Sequence, residues 1–440
     1  MNNLILGVNT DLQSGWKWKR ADGLFRLPNR QVSPEALGDV VFHYSIPAIQ
    51  ETGDGAVELT SEIKSNKHQI DGGELLVSKL NPRKGCVILS QKQDYPTVAS
   101  TEFVVLSPES VDPVFAAYLY QSHQVRESIS SVVQSVTRSH QRANPSDITK
   151  LWLPIPPLPT QRRIAAYLDR ETAQIDALVA QKELLLALLE EKRASLISHA
   201  VTRGLPGVAS AKTGLPGVAS AKTGLNPKAK LKPSGIPWLG DVPEHWQLKP
   251  FRHVVSITSG QVDPRSHEFR EWTLIAPNHI QSGTGRIVGT ETAADQGAIS
   301  GKYLVSKGEV IYSKIRPELR KVCLAPCDCL CSADMYPMRT TGELLPKFLF
   351  YFLLGEAFSR LVVLESMRVA MPKVNREMLA PCPIPVPPII EQSAIVATLD
   401  KTLAAIDSVT ADIQTSIHLL REKRASLISA AVTGEMVVPK

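Results

Sequence analysis

Between Thr160 and Ala200 the chain has neither glycine nor proline, and apolar residues recur at Ile164, Leu168, Ile175, Leu178, Leu185, Leu189 and Leu196. Steps of three, four and seven belong to a coiled-coil seam and predict one continuous amphipathic helix. Lys182 and Lys192 interrupt the stripe. The arrangement returns as Ile395, Leu399, Ile406, Val409, Ile413, Leu420 and Leu427. A helix of about 40 residues rises roughly 60 Å, more than the width of a compact domain, so neither stripe can be hidden alone. The two helices are expected to pack on each other, antiparallel across a pseudo-two-fold axis.

The stretches before the helices have a different pattern. Short apolar runs bounded by turn residues predict strands at Glu74–Ser78, Cys86–Leu89, Glu309–Ser313 and Lys321–Leu324. Proline clusters, Leu153–Pro159 and Pro381–Pro388, precede each helix. They are expected to be stiff polyproline-type segments that end a domain and aim the helix.

These parallels reflect a tandem duplication. The octapeptide Glu-Lys-Arg-Ala-Ser-Leu-Ile-Ser occurs at Glu191–Ser198 and again at Glu422–Ser429, 231 positions later in a chain of 440 residues. At the same offset Gln161 falls on Gln392, Leu168-Asp169 on Leu399-Asp400, and Ile175-Asp176 on Ile406-Asp407. Fainter matches join Gly73–Pro82 to Gly308–Pro317, Phe115 and Tyr118 to Phe348 and Tyr351, and Asn144 to Asn375. Both asparagines sit just before a domain-to-helix junction, where capping is the expected role. Between the halves lies a direct decapeptide repeat, Gly204–Thr213 and Gly214–Thr223, whose glycine and proline content predicts a connector.

The predicted layout is α+β: two tandem α/β domains, each followed by a long helix. By number it runs 1–36 N-terminal arm, 37–157 first domain, 158–203 central helix, 204–232 linker, 233–250 docking arm, 251–388 second domain, 389–434 second helix and 435–440 tail.

Composition narrows the function classes. A net charge of +6 permits a polyanionic partner without demanding one. No apolar run reaches the roughly 18 residues of a membrane span, and the N-terminus lacks a signal-peptide pattern. Six scattered or clustered cysteines do not make a disulfide framework, which points to a reducing, cytoplasmic setting. Cys323, Cys327, Cys329 and Cys331 lack paired Cys-x-x-Cys knuckles, so no metal is expected, and three of them alternate as on one strand face. There is no Walker-type phosphate loop, no glycine-rich cofactor loop, no Asn-Pro-Pro-aromatic motif and no catalytic triad. Glu62-Ile63-Lys64 has nuclease-like spacing without a partner acid and reads as a polar turn.

Two divergent domains, each followed by a proline-rich stop, a glutamine and a helix ending near Glu-Lys-Arg-Ala-Ser-Leu-Ile-Ser, resemble the specificity subunit of type I restriction–modification enzymes. The segments Pro154–Ile164 and Pro385–Ile395 and the arm Ser234–Trp246 carry the resemblance, which covers Leu37 to Val437. Gly15-Trp16-Lys17-Trp18-Lys19 matches that arm only distantly.

The resemblance implies that each variable domain is a target recognition domain reading one half of a bipartite, asymmetric duplex DNA sequence. It implies that the paired helices space the domains and dock two methylation subunits, which restriction subunits then join. S-adenosylmethionine, ATP and Mg2+ would belong to those partners, leaving this chain without cofactor or catalytic residues. DNA reading needs cations for phosphates and forked or amide side chains for base edges. The first domain offers Lys79, Arg83 and Lys84, then Arg126, Arg138, His140 and Arg142 in a serine-rich segment expected to be a surface loop. The second offers Lys314, Arg316, Arg320 and Lys321, then Arg368, Lys373 and Arg376. Two other readings remain open on the residues alone: a stand-alone nuclease or methyltransferase, and a coiled-coil scaffold without nucleic acid.

Overall fold

The computed structural model describes residues 12–131, 141–205, 230–366 and 373–439. The decapeptide repeat beyond Leu205, and Arg138, His140 and Arg368, lie outside these residues. Chain contacts define two compact units that cut across sequence order: Met1–Glu183 with Gln414–Lys440, and Leu184–Ile413. The division falls within both long helices, Leu158–Arg203 and Ile389–Thr433, so each unit holds one sheet domain and a piece of each helix.

In the first unit a four-stranded antiparallel sheet has the order Phe25–Arg26, Phe103–Pro108, Leu75–Ser78, Val87–Leu89. A five-stranded sheet has the order Gln31–Val32, Lys67–Ile70, Thr97–Ala99, Val40–Tyr44, Ala56–Leu59, with one parallel pair, Val40–Tyr44 beside Thr97–Ala99. The helix Pro113–Gln121 packs on the first sheet, and its Phe115, Leu119 and Tyr120 join Leu75, Leu106, Ile164 and Leu168 in the main core. The last turns of the second long helix enter that same core through Ile428, Ala431 and Val432. Within this unit the two helix pieces run antiparallel, because Asp176 meets Arg424 while Glu183 meets Arg421.

The second unit repeats the plan. Its antiparallel sheet is Val255–Ile257, Met335–Thr340, Val310–Ser313, Val322–Leu324. Its mixed sheet is Glu291–Thr292, Thr273–Ile275, Cys329–Cys331, Tyr303–Val305, again with one parallel pair. Here the end of the first long helix (Ile197, Ala200, Val201) shares a core with the start of the second (Ile395, Leu399, Leu403, Ile406) and with Phe348, Phe352 and Phe358.

Several sequence expectations are corrected. Leu178, Leu185 and Val409 do not belong to the inward stripe; they are 41%, 44% and 46% exposed. The inward row of the first helix is Leu168, Thr172, Ile175, Val179, Lys182, Leu186, Leu189, Arg193, Leu196 and Ala200, with no fully exposed member. Its counterpart, offset by 231 throughout, is Leu399, Leu403, Ile406, Thr410, Ile413, Ile417, Leu420, Arg424, Leu427 and Ala431. The run Leu184-Leu185-Leu186-Ala187-Leu188-Leu189 is apolar on every side, so hydrophobicity there cannot choose a register; polar members such as Arg193 do.

The proline clusters are not free polyproline segments either. Trp152–Ile155 pairs with Lys17–Arg20, and Pro383–Val386 pairs with Gln247–Pro250, as two-stranded ribbons. A strand paired on one edge tolerates prolines whose missing N–H faces away from its partner. The serine-rich segment after Ser122 starts not as a loop but as a helix, His123–Ser131, because Val125 and Ile129 lie one turn apart and are buried. Of the clustered cysteines, Cys323, Cys329 and Cys331 are core residues, while Cys327 is exposed and precedes the strand.

Repeated residues hold each domain to the helices. Gln161, 2% exposed, accepts from the Asp112 N–H at 2.8 Å and donates to the Pro156 carbonyl at 2.8 Å. Gln392 accepts from the Leu345 N–H and donates to the Pro387 and Glu343 carbonyls, each at 2.8 Å. Tyr118 donates to Asp169 at 2.8 Å and Tyr351 to Asp400 at 2.5 Å. Both long helices end on a left-handed glycine, Gly204 (φ 78°) and Gly434 (φ 81°), and each lies against a buried arm tryptophan, Trp246 and Trp16. The first arm, only a distant sequence match, is thus seated like the second, and Gln13 also donates to the Gly434 carbonyl.

Candidate nucleic-acid interface

In each unit one strand of the antiparallel sheet ends in a tight turn. Leu75–Ser78 leads to Asn81 (φ 48°), the 3-10 turn Pro82–Lys84 and Gly85 (φ 61°). Val310–Ser313 leads to Arg316 (φ 48°), the 3-10 turn Pro317–Leu319 and Arg320 (φ 46°). A later segment returns to each turn through an isolated bridge, Leu80 to Arg142 and Ile315 to Lys373. The Ala143 N–H donates to the Lys79 carbonyl at 2.9 Å, and the Val374 N–H to that of Lys314 at 2.8 Å. The structure therefore gathers Lys79, Arg83 and Arg142 in one unit, and Lys314, Arg316, Arg320 and Lys373 in the other, at equivalent places.

Not all the candidate cations are available to a ligand. Arg126 packs against the turn at Gly85 and donates to the Arg83 carbonyl at 3.3 Å. Arg142 makes a forked ion pair with Glu102, which holds its guanidinium above the usual range. Lys321 donates to the Pro277 carbonyl at 2.6 Å. Arg376 ties the Val255–Ile257 strand end in place, donating to the Ile257 and Thr258 carbonyls at 3.3 and 2.8 Å and to Ser259 Oγ at 2.8 Å. Lys314 and Arg376 both stack on Tyr336, at 5.4 and 5.5 Å from its ring centre. Among the described residues, Lys79, Arg83, Arg316, Arg320 and Lys373 have no ion-pair partner. Lys84 belongs to the first turn.

Tyr336 was invisible to sequence reasoning, because the corresponding strand position of the first unit is Val104 and the duplication gives no signal. Glu102 has an acidic counterpart, Asp334, whose carbonyl accepts from the Lys314 N–H at 2.9 Å as that of Glu102 does from the Lys79 N–H at 2.8 Å. Asn375 does cap the following helix, its Oδ1 accepting from the Met378 N–H at 2.8 Å. At Asn144 the backbone N–H donates to Asp147 at 3.0 Å.

In the second unit the turn borders an open cavity of about 740 Å3. It is lined by Glu318 and Arg320, by Glu356 and Arg360 of the helix Glu356–Ser366, and by His199 and Arg203 of the first long helix. The lining mixes both signs. Among the described residues no group of histidines, cysteines and acids can hold a metal, and no helix is long and apolar enough to cross a membrane. Burial pushes the Cys323 and Cys329 thiols up to about 12, so both are inert neutral thiols at ordinary pH.

Comparison with known proteins agrees with this architecture. The type I restriction modification DNA specificity domain matches residues 13–186 and again 244–418. The chain is 30% identical over 290 residues to the type I restriction enzyme EcoDI specificity subunit of Escherichia coli, an alignment covering 66% of this chain. The chain spans 63% of the length of that relative. A chain from a type I R-M system solved for its complex assembly and conformational transition is similar over 97% of this chain and 100% of its own, with TM-score 0.72 at 17% identity. The HsdS subunit of Thermoanaerobacter tengcongensis is similar over 97% and 98%, with TM-score 0.51 at 18% identity. With two copies of the family domain on two matching sheet-and-helix units, the chain belongs to the type I restriction–modification specificity subunits.

Proposed function

We propose that this chain is the DNA-reading subunit of a type I restriction–modification complex. Its two recognition domains read the two unlike halves of a bipartite duplex target. The observation that carries this reading is the cationic turn with its returning segment, placed identically on both domains but furnished with different side chains. A shared scaffold with diverged tips suits two half-sites of different sequence.

The long helices are proposed to dock two methylation subunits, with restriction subunits joining that core. The octapeptides support this. Arg193, Ile197 and Ser198 have internal partners, but Glu191, Lys192 and Ser195 are exposed, as are Glu422, Lys423 and Ser426. Fold alone does not require identical exposed side chains in two diverged copies; one partner bound twice does. S-adenosylmethionine, ATP and Mg2+ would be used by the partners, in the cytoplasm, and this chain alone would neither cut nor methylate DNA. The decapeptide repeat would act as a spacer whose copy number changes the gap between half-sites, since successive major-groove faces lie about 34 Å apart.

The test is methylome sequencing of a host expressing the chain with its methylation subunits. A single bipartite methylated motif is expected, and replacing residues 37–157 with another first domain should change one half of it only. A contiguous motif, or none, would defeat the proposal.

A further inference from the structure

The two turns differ in a way that fold does not explain. A left-handed backbone is costly for most L-residues, and glycine and asparagine are the side chains that tolerate it. The first turn obeys this rule, with Asn81 and Gly85 at its two left-handed positions. The second places arginine at both, Arg316 and Arg320. Arginine has no local reason to be there, and residues held in such conformations cluster where function requires the side chain.

Charge also moves between the copies. In the first turn the cations, Arg83 and Lys84, occupy the middle; in the second the middle is Glu318-Leu319 and the cations flank it. Glu318 and Arg316 are exposed, and among the described residues neither has an ion-pair partner. The frame beneath is fixed: Pro317 is buried, and the Gly283 N–H donates to the Leu319 carbonyl at 3.2 Å. Arg320 lies along Gly283, within 3.3 Å of where a side chain there would begin.

An exposed carboxylate between two guanidiniums suits a phosphate backbone poorly. It suits base edges well, because arginine forks onto guanine O6 and N7 while a carboxylate accepts from cytosine N4. The geometry points to Arg316, Glu318 and Arg320 as the reader of G·C pairs in the half-site of the second domain. This rests on the DNA-reading function proposed above and specifies which element reads which base pairs.

The experiment uses the chain with its methylation subunits. Arg316→Asn and Arg320→Gly install the residues that the first turn uses at the same positions. The denaturation midpoint of the chain is expected not to fall, while discrimination at a G·C pair of one half-site relaxes about tenfold or more. The other half-site stays unchanged. Arg320→Lys keeps the charge but loses the fork and should relax discrimination as well. Glu318→Gln should weaken selection at the same pair. An unaltered motif, a half-site without any G·C pair, or a midpoint that drops together with binding would overturn the inference. So would equal weakening on all sequences with a shallower salt dependence, which marks a phosphate contact. If the wild-type complex modifies no bipartite site, the functional reading itself fails instead.

Discussion

Arg193 Nη1 donates to Asp407 Oδ1 at 2.6 Å, and the pair is repeated by the duplication as Arg424 and Asp176, joined at 2.9 Å. Each arginine belongs to an octapeptide, and each aspartate follows the isoleucine of the inward row, Ile406 or Ile175. Their environments differ. Arg193 and Asp407 are 12% and 25% exposed, and Arg286 adds a second guanidinium to Asp407, whereas Arg424 and Asp176 are 33% and 53% exposed. Arg193→Ala is therefore expected to cost about 1–3 kcal/mol by loss of a shielded charge-assisted bond. Arg424→Ala should cost under about 1 kcal/mol, as for a solvated pair. Urea unfolding of the two variants measures the ranking, and the reverse order would contradict it.

Gln161 and Gln392 satisfy backbone groups at the domain-to-helix junction. Gln161→Leu leaves the Asp112 N–H and the Pro156 carbonyl without their partner, an expected loss of about 1–3 kcal/mol. Gln392→Leu strands three backbone groups and should cost more. Equal unfolding midpoints for the two variants would show that the glutamines do not act this way.

The last serine of each octapeptide begins a neighbouring helix. Ser429 Oγ accepts from the His123 N–H at 3.0 Å and Ser198 Oγ from the Glu356 N–H at 2.8 Å. Supplying an acceptor to a free helical N–H is worth about 0.5–2 kcal/mol, so Ser198→Ala and Ser429→Ala should each lose that much. Hydrogen exchange should quicken in Glu356–Ser366 for the first variant and in His123–Ser131 for the second. Unchanged exchange in both would refute the capping role.

Burial, with smaller opposing and reinforcing effects from Thr172 and Asp169, pushes the Tyr118 hydroxyl from 10.0 up to about 12. A folded value above the unfolded one means that this tyrosine's contribution is complete below pH 10 and is lost as pH rises toward 12. Tyr118→Phe should be less stable at neutral pH and should lose stability less steeply above pH 10. Urea midpoints measured from neutral to alkaline pH test this, and parallel curves would reject it.

Much of the architecture was legible one-dimensionally. An octapeptide repeated at a fixed offset and two long runs free of glycine and proline specify a duplication, two helices and the family, because repeats and helical periods are properties of order along the chain. The seam register was not legible. In Leu184–Leu189 every face is apolar, and Val179 and Leu186 rather than Leu178 and Leu185 lie on the row that runs from the buried Ile175 to Arg193, which reaches Asp407. Nor could charge alone tell a reader from a strut. Arg316 and Arg376 look alike in sequence, yet one stands exposed on a left-handed turn while the other is spent on Ile257, Thr258 and Ser259. Sequence determines what a residue can bond to; only the folded chain decides which partner comes within 3 Å, and that distance separates a side chain free for a ligand from one holding its own backbone.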